Sequence, residues 1–344
     1  MKAVVCYGKH DWRLEEKPTP TPHAGEVLVQ VMACGICGTD VHIYEGDEGC
    51  AKTPAGTVPG HEFSGVVAAV GEGVESVHVG DRVCVDPNRL CGSCYYCRRA
   101  LGHFCEHMTG YGTTTDGGFA EYCAVPVSQV YPIADTTSFD RAAMSEPVSC
   151  CLHGIDQCDI RTDDTVAVIG CGMIGLLMLQ LAKAAGAKTL IAIEPQEEKR
   201  RLAATLGADL CIDPLHEDAA AVIAAHGICR VSKVLECAGR VSTMEQAVAL
   251  AGKRSTVVFF GLTAPGETVN LKPFDLFKRE IEIKSSYINP YTMGRAVEMI
   301  DSGRLDVSSM IYKTAPLSDL PAILADRDLR RRGKFIIHPN GEKA

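Results

Sequence analysis

Residues 165–175 read TVAVIGCGMIG, and they decide the fold of the second half of this chain. A short apolar run typical of a buried strand leads into three glycines spaced G-x-G-x-x-G, and an amphipathic helix is expected to follow. Gly170 would permit a tight turn, Gly172 would let a phosphate group approach the backbone, and Gly175 would let helix and strand pack closely. A glycine-rich turn that binds nothing is the alternative. With Ile174 between its last two glycines, the stretch predicts a dinucleotide-binding turn, because a helix N-terminus favours phosphate charge.

Strand and helix patterns alternate from about residue 160 onwards, and each helical stretch ends at or near a glycine. Six strands joined by helical crossovers predict an α/β fold with a doubly wound parallel sheet of the Rossmann type. The strand candidates are Val166–Ile169, Thr189–Ile193, Asp209–Ile212, Lys233–Glu236, Thr256–Phe260 and Ile281–Lys284. The helical candidates include Met173–Ala185, Glu197–Leu206 and Thr243–Ala251.

Glu194 ends the second of these strands, 19 residues after Gly175. A carboxylate at this place can accept hydrogen bonds from both hydroxyls of a ribose, whereas a 2′-phosphate would meet like charge. The pattern therefore favours NAD over NADP. Lys199, which completes the predicted cofactor site, precedes Arg200 and Arg201. These cations could offset the repulsion of a 2′-phosphate, or they could form a solvated helix face.

Length and composition bound the rest of the chain. A chain of 344 residues suggests two domains, and 46% hydrophobic with 22% charged residues is an ordinary globular mix. Short β-rich runs between turns predict an irregular β domain in the first 130 residues. The elements after about residue 288 do not extend the α/β series and are expected to return to that domain. We therefore expect one domain from residues 1–152 and 287–344 and a second from residues 153–286.

Charge and hydropathy exclude several classes of protein. The chain has 43 acidic and 34 basic residues and a net charge of −9, whereas a nucleic-acid binder needs a basic surface. No apolar signal-peptide run opens the sequence, which predicts a cytoplasmic protein. The uncharged run 165–182 approaches the length of a membrane span, but its glycine turn argues against one, so no membrane partner is expected. The basic run 330–334 is interpreted as a solvated helix end.

Four of the 17 cysteines, Cys91, Cys94, Cys97 and Cys105, lie within fifteen positions. Such spacing lets one loop enclose a single tetrahedral Zn²⁺ on all sides, which is typical of a structural rather than a catalytic metal. Two disulfides are the weaker alternative in a reducing compartment, and an iron–sulfur cluster also remains open. The spacing predicts a structural zinc site.

A second group of metal-binding side chains is dispersed along the sequence. Cys37, His61, Glu62 and Glu146 supply a thiolate, an imidazole and two carboxylates. A zinc site with one position open to substrate is built from such donors. Their spacing alone does not bring them together. In a chain that also carries a dinucleotide domain, they are candidates for a catalytic zinc site.

Several motifs occur together over essentially the whole chain. They are GICGTD at 35–40, GHEFSGVV at 60–67, VGDRV at 79–83, the four-cysteine loop and GCGMIG at 170–175. Together they resemble the zinc-dependent medium-chain alcohol dehydrogenases. Glu146-Pro147 is similar to the branch of polyol (sorbitol-type), polyol-phosphate and L-threonine dehydrogenases, where the horse-liver-type enzymes carry a cysteine ligand. The resemblance implies a β-rich, GroES-like catalytic domain beside the Rossmann domain.

The resemblance also implies how the metal is held. Cys37 and His61 would bind the catalytic zinc, with Glu62 and Glu146 as alternating or joint carboxylate ligands. Asp40 would not bind the metal itself but would contact one of its ligands and hold that ligand in orientation.

The implied reaction is hydride transfer from a secondary alcohol to NAD, with zinc lowering the pKa of the alcohol. By resemblance, Thr39 would hydrogen-bond the substrate hydroxyl and begin a proton relay whose outer member is His42. As alternatives, Thr39 could cap a helix turn and His42 could be a surface residue. A homodimer or homotetramer is expected from the family.

The alcohol itself is a choice between two classes. Segment 37–44 is similar to L-threonine 3-dehydrogenase, but those enzymes carry tryptophans in the following loop and the only tryptophan here is Trp12. Segment 286–296 looks more like the polyol dehydrogenases, so a polyol or polyol phosphate is favoured over L-threonine. A non-catalytic zinc-binding regulatory protein built around the cysteine loop is the alternative from another class. The acidic charge and the glycine motif oppose it.

Overall fold

The computed structural model describes residues 1–47, 52–330 and 332–341. The chain divides into two compact units, one formed by Met1–Ser149 with Pro290–Ala344 and the other by Cys150–Asn289. The sequence-based boundaries fall at 152/153 and 286/287. Among the helices of these described ranges, none combines the length and the apolar character needed to cross a membrane.

The elements of the described ranges are numbered in chain order. The strands are β1 (Lys2–Gly8), β2 (Asp11–Glu16), β3 (Glu26–Gly35), β4 (Glu62–Val70), β5 (Arg82–Val85), β6 (Asn88–Arg89), β7 (Thr109–Gly110), β8 (Tyr122–Pro126), β9 (Val130–Pro132), β10 (Thr165–Ile169), β11 (Thr189–Ile193), β12 (Leu210–Ile212), β13 (Lys233–Glu236), β14 (Thr256–Phe259), β15 (Glu282–Ser285), β16 (Ile311–Pro316) and β17 (Lys334–His338). The α-helices are α1 (Gly38–Glu45), α2 (Phe139–Ala143), α3 (Ser145–Cys158), α4 (Met173–Ala184), α5 (Glu197–Thr205), α6 (Ala219–Ala225), α7 (Val241–Leu250), α8 (Pro273–Arg279), α9 (Met293–Asp301) and α10 (Leu320–Ala325).

The unit formed by Cys150–Asn289 contains a parallel sheet in the order β12-β11-β10-β13-β14-β15. The six predicted strands agree with the observed ones to within one residue at each end, so the Rossmann prediction is confirmed. Strand order reverses between β10 and β13, which is where a doubly wound sheet binds its ligand. The apolar residues of β10 and β11 are buried, because helices cover both faces of a parallel sheet.

The other unit is built around a mainly antiparallel sheet in the order β16-β17-β3-β4-β5-β9, with β8 also paired to β3. The irregular β character predicted for this part of the chain is confirmed. Strands β16 and β17, which lie after residue 288, pair into the same sheet. Strand β3 is central: Gly35 pairs with Glu62 at the start of β4 on one side and with Ile336 of β17 on the other. Segments far apart in sequence therefore meet at the carboxyl end of β3.

Among the described residues of the basic run 330–334, Arg330 and Lys334 do not form the solvated helix end that the sequence suggests, because α10 already ends at Ala325. The side chain of Arg330 is 11% exposed, and its Nη2 lies 2.6 Å from Glu45 Oε1. Lys334 opens β17 and is buried. The interpretation is wrong because the carboxylates that pair with these cations come from distant elements, so local charge alternation does not reveal them.

Candidate metal centres and dinucleotide site

Cys37, His61 and Glu62 come together at the carboxyl end of β3. One ligand atom from each lies within 4.8 Å of the other two. Cys37 is the N-cap of α1, and His61 and Glu62 stand at the start of β4, which pairs with β3. A thiolate, an imidazole and a carboxylate are the donors that zinc takes in proteins. Sheet register therefore assembles three of the four predicted catalytic ligands.

Asp40 lies behind two of these ligands and is fully buried. Its Oδ2 accepts a hydrogen bond from the backbone N–H of Cys37 at 2.8 Å, and its Oδ1 lies 3.5 Å from His61 Nδ1. Burial lowers the pKa of His61, but the charges of Asp40 and Cys37 outweigh that effect and raise the pKa well above its ordinary value. A carboxylate at Nδ1 orients the ring and leaves Nε2 available to a metal.

Glu62 is also paired with Lys334, a contact that the sequence did not reveal. Both side chains are almost completely buried, and Lys334 Nζ donates to Glu62 Oε2 and, at 2.9 Å, to the carbonyl of Ile36. Burial lowers the pKa of Lys334, but the neighbouring Glu62 and Cys37 charges raise it above the ordinary value. A side chain at Gly35 would collide with Glu62 and Lys334, so the pair requires glycine there. The only local sequence feature that hints at this buried pair is a lysine at the start of a largely apolar strand, β17.

The remaining oxygen of Glu62 provides a test of whether the site fits a metal. Glu62 Oε1 is buried and has no hydrogen-bond partner among the described residues. An unsatisfied buried carboxylate oxygen is costly, and a cation beside it would remove that cost. Together with the nearby thiolate and imidazole, this atom fits a zinc ion.

The other predicted catalytic residues lie on two helices. Glu146 is a buried residue in the first turn of α3, outside the cluster of Cys37, His61 and Glu62. Thr39 and His42 both lie on α1, three residues apart and therefore on one face. His42 is half exposed, and its Nδ1 lies 3.1 Å from Asp47 Oδ2.

The four-cysteine loop closes on itself. One sulfur atom from each cysteine lies within 4.8 Å of the other three, and Cys91 Sγ is 4.0 Å from Cys97 Sγ. Backbone N–H groups of Ser93 and Cys94 point at Cys91 and lower the pKa of its thiol to about 6. Such donors favour a thiolate, which is the form that binds metal. The loop therefore has the donor set of a closed, structural zinc site.

The glycine turn has the geometry that its sequence predicts. Gly170 has φ +88°, which other residues rarely adopt. A Cβ at Gly175 would lie 1.8 Å from the carbonyl oxygen of Gly170, whereas a Cβ at Gly172 would meet no atom within 4 Å. Ile174 lies half-buried on α4. The first glycine thus makes the turn, the third allows close packing, and the second leaves an open approach.

A cavity of about 650 Å³ lies beside this turn, at the carboxyl ends of β10, β11 and β13. Glu194 is buried in its wall. One of its carboxylate oxygens accepts a hydrogen bond from the N–H of Cys171 at 2.8 Å, and the other accepts from Gln196 at 2.9 Å. These bonds tie the glycine turn to the end of β11. A carboxylate has about four lone-pair sites, so capacity for two ribose hydroxyls is left. Lys199 also lines the cavity.

Glu236 is a second buried carboxylate at this edge that the sequence did not single out. Its Oε1 accepts hydrogen bonds from the N–H groups of Ala238 and Gly239, both at 2.9 Å, and from Thr243 Oγ1 at 2.7 Å. The loop that it holds also carries Arg240, which lines the cavity with Thr243. The available signal in the sequence was an acidic residue that ends a short parallel strand directly after two apolar residues.

Two family models match this chain. Residues 23–135 match the alcohol dehydrogenase GroES-like domain, and residues 174–302 match the zinc-binding dehydrogenase model. The GroES-like character expected of the first domain is therefore confirmed.

Curated relatives cover nearly the whole chain. D-arabinitol dehydrogenase 1 of Uromyces fabae is 32% identical over 99% of this chain and 97% of its own length. D-arabitol-phosphate dehydrogenase of Enterococcus avium is 36% identical over 86% of this chain and 84% of its own length. L-threonine 3-dehydrogenase of Pyrococcus horikoshii is 33% identical over 90% and 89%, respectively.

Solved structures share the fold. A protein from Sinorhizobium meliloti 1021, assigned as a zinc-binding dehydrogenase and bound to NADP, superposes with a TM-score of 0.94 at 37% identity, covering 98% of this chain and 99% of its own. An Escherichia coli CFT073 alcohol dehydrogenase complexed with NADH superposes with a TM-score of 0.91 at 31% identity. The superposition covers 98% of this chain and 99% of the other one. Both forms of nicotinamide cofactor therefore occur among proteins similar to this one.

Proposed function

The chain belongs to the zinc-dependent medium-chain alcohol dehydrogenases, and we propose that it oxidises a secondary alcohol of a polyol or polyol phosphate with NAD. The observation that carries the proposal is the cluster of Cys37, His61 and Glu62, with Asp40 behind it, in a chain that also has the glycine turn. In this reaction the carbinol carbon loses a hydride to the nicotinamide and the hydroxyl loses a proton, so the alcohol becomes a ketone. Membership of this family makes the protein an enzyme, which argues against a non-catalytic regulatory role.

Cys37 and His61 would hold the catalytic zinc, with Glu62 and Glu146 as its carboxylate ligands. Bound zinc supplies Lewis acidity, which can lower the pKa of an oxygen acid from 15.7 to about 7, or by roughly 12 kcal/mol. Asp40 would keep the imidazole of His61 oriented through Nδ1. The four clustered cysteines of residues 91–105 would hold a second, structural zinc.

Thr39 and His42 would carry the hydroxyl proton away. The Thr39 hydroxyl can accept a hydrogen bond from the substrate while donating one onwards. His42 follows on the same face of α1 and contacts Asp47 where both side chains are about half exposed, so a proton can pass from it to water.

NAD is the preferred cofactor in this proposal because the Glu194 carboxylate faces the cavity beside the glycine turn. Ribose hydroxyls can donate to it, whereas a 2′-phosphate would be repelled. L-threonine is the second candidate substrate, since a relative at 33% identity is an L-threonine 3-dehydrogenase.

Substrate-panel kinetics would test the proposal. Zinc-loaded enzyme is assayed with D-arabinitol, D-arabinitol phosphate and L-threonine, each with NAD and with NADP, by following absorbance of the reduced nicotinamide. We expect the highest kcat/KM with a polyol or its phosphate and NAD. A preference for L-threonine would replace the substrate assignment, and no turnover of related alcohols with either cofactor would refute the function.

We further propose that the enzyme is cytoplasmic, because thiolate ligands stay reduced in that compartment.

We also propose that the enzyme is a homo-oligomer. Strand β15 is an edge of its sheet, and the side chains of Phe274 and Phe277, which precede it on α8, are 73% and 77% exposed. If β15 of two copies paired antiparallel about Ile283, Glu282 of each copy would face Lys284 of the other. Sedimentation of a Phe274→Ser/Phe277→Ser variant tests this: we expect a smaller assembly, and an unchanged mass would contradict the assigned surface.

A further inference from the structure

Asp213 is a charged residue at the cofactor cavity to which the proposed reaction gives no role. It follows β12, and Pro214 and Leu215 after it line the cavity. Its Oδ1 accepts a hydrogen bond from the N–H of Leu215 at 3.0 Å, and its Oδ2 lies 3.0 Å from both His216 Nδ1 and Arg200 Nη2. One carboxylate therefore holds both a stretch of cavity wall and a guanidinium.

Arg200 contacts the backbone of two residues that line the cofactor cavity. Its Nη1 donates hydrogen bonds to the carbonyl oxygens of Glu194 and Pro195, both at 2.7 Å. These two residues line the cavity, and the Glu194 side chain is the proposed partner of the ribose hydroxyls. A guanidinium here is the group best suited to a 2′-phosphate, because its fork of donors matches phosphate oxygens.

The pair between Arg200 and Asp213 is more buried than the neighbouring ion pair of Arg201 on the same helix. The side chains are 18% and 16% exposed, so water screens the attraction weakly. Arg201, the next residue, pairs instead with Glu197, and those side chains are 77% and 66% exposed. Hydrogen bonds from His216 and from the backbone of Leu215 lower the pKa of Asp213, so its carboxylate keeps its charge at neutral pH.

We propose that Asp213 is a cofactor-specificity residue that acts through Arg200. By binding the guanidinium, Asp213 withholds it from a 2′-phosphate and so reinforces the rejection of NADP by Glu194. The inference rests on the proposed use of NAD. It explains why the basic residues 199–201, which follow Glu194 on α5, need not make the site prefer NADP.

Binding measurements on four zinc-loaded proteins would test the proposal. Dissociation constants of NADP and NAD are measured by isothermal titration calorimetry for the wild type, Asp213→Asn, Arg200→Met and the double variant. Asparagine keeps an acceptor for the Leu215 N–H, so the cavity wall should stay in place. We expect Asp213→Asn to tighten NADP binding about tenfold, the size of one charge-assisted hydrogen bond, and to change NAD binding by less than about twofold. In the double variant the tighter NADP binding caused by Asp213→Asn should disappear, so that it binds NADP like Arg200→Met.

Glu197→Gln is the matched control. It releases Arg201 from an exposed pair on the same helix and should alter neither constant. Unchanged NADP binding in Asp213→Asn would overturn the proposal. A gain that persists in the double variant would also overturn it, because direct repulsion by Asp213 would then be the cause. Equal weakening of NAD and NADP would instead give Asp213 a purely structural role.

Failure of the proposed function would look different. A wild type that binds NADP more tightly than NAD would refute the NAD assignment, whatever the variants do. The test of the pair compares the change in NADP affinity caused by Asp213→Asn when Arg200 is present with the change when it is replaced by methionine. This comparison between variants does not depend on which cofactor the wild type prefers.

Discussion

Replacing Lys334 by methionine should make the stability of its unit depend on zinc. The ammonium of Lys334 is buried against Glu62 and the carbonyl of Ile36, and the two charged side chains are only 2% and 0% exposed. Lys334→Met keeps the apolar stem of the side chain but leaves the Glu62 carboxylate without its counter-ion.

The magnitude follows from this burial. Removing one partner of a buried ion pair costs about 3–5 kcal/mol, because the other charge stays buried and uncompensated. For a unit of this size that corresponds to a fall in Tm of about 6–20 °C. Zinc bound beside Glu62 would restore positive charge next to the carboxylate. We therefore expect zinc to recover more stability in the variant than in the wild type.

Tryptophan fluorescence during urea unfolding is the assay. Trp12 is the only tryptophan and is 5% exposed in the core of the unit that holds Lys334. Metal-free and zinc-loaded forms are compared. Lys334→Arg keeps the charge and should lose much less stability, and Glu62→Gln/Lys334→Met should recover most of the loss. The reasoning would be refuted if the free energy of unfolding of metal-free Lys334→Met lay within about 1 kcal/mol of the wild-type value. It would also be refuted if the double variant were as unstable as Lys334→Met alone.

Three further predictions concern the two metal sites and the glycine turn. Cys37→Ser should abolish turnover and leave Tm nearly unchanged, whereas Cys97→Ser should chiefly lower Tm; equal loss of fold in both would contradict the assignment of one catalytic and one structural site. Gly175→Ala should lower both Tm and NAD affinity, because its Cβ would lie 1.8 Å from a carbonyl oxygen. Gly172→Ala should weaken NAD binding alone, because its Cβ would meet no protein atom within 4 Å. Thermal unfolding measures Tm and calorimetry measures the NAD affinity. In zinc-free protein, alkylation of Cys91 followed by mass spectrometry should rise with pH around about 6, since its pKa is lowered and the thiolate forms above it. A midpoint near that of an ordinary thiol would disprove this.

Features carried by short segments could be predicted from the sequence. The glycine turn occupies residues 165–175 and the cysteine loop residues 91–105, and the structure gives both the predicted geometry. The alternation of strands and helices around the turn predicted the parallel sheet as well, because each element shows its own hydrophobic period. The family resemblance added the grouping of Cys37 with His61 and Glu62.

The pairing of charges was decided only by the tertiary structure. Glu62 meets Lys334 because β3 pairs with both β4 and β17, and Arg200 meets Asp213 because the end of β12 lies beside α5. For the same reason, local charge alternation does not predict the partners of Arg330 and Lys334. Hydrophobic period and local spacing report which face of an element is buried, but they carry no information about which distant residue lies opposite. Sheet register and helix packing supply that information. The candidate ligands could therefore be named from the sequence, whereas their counter-ions could not.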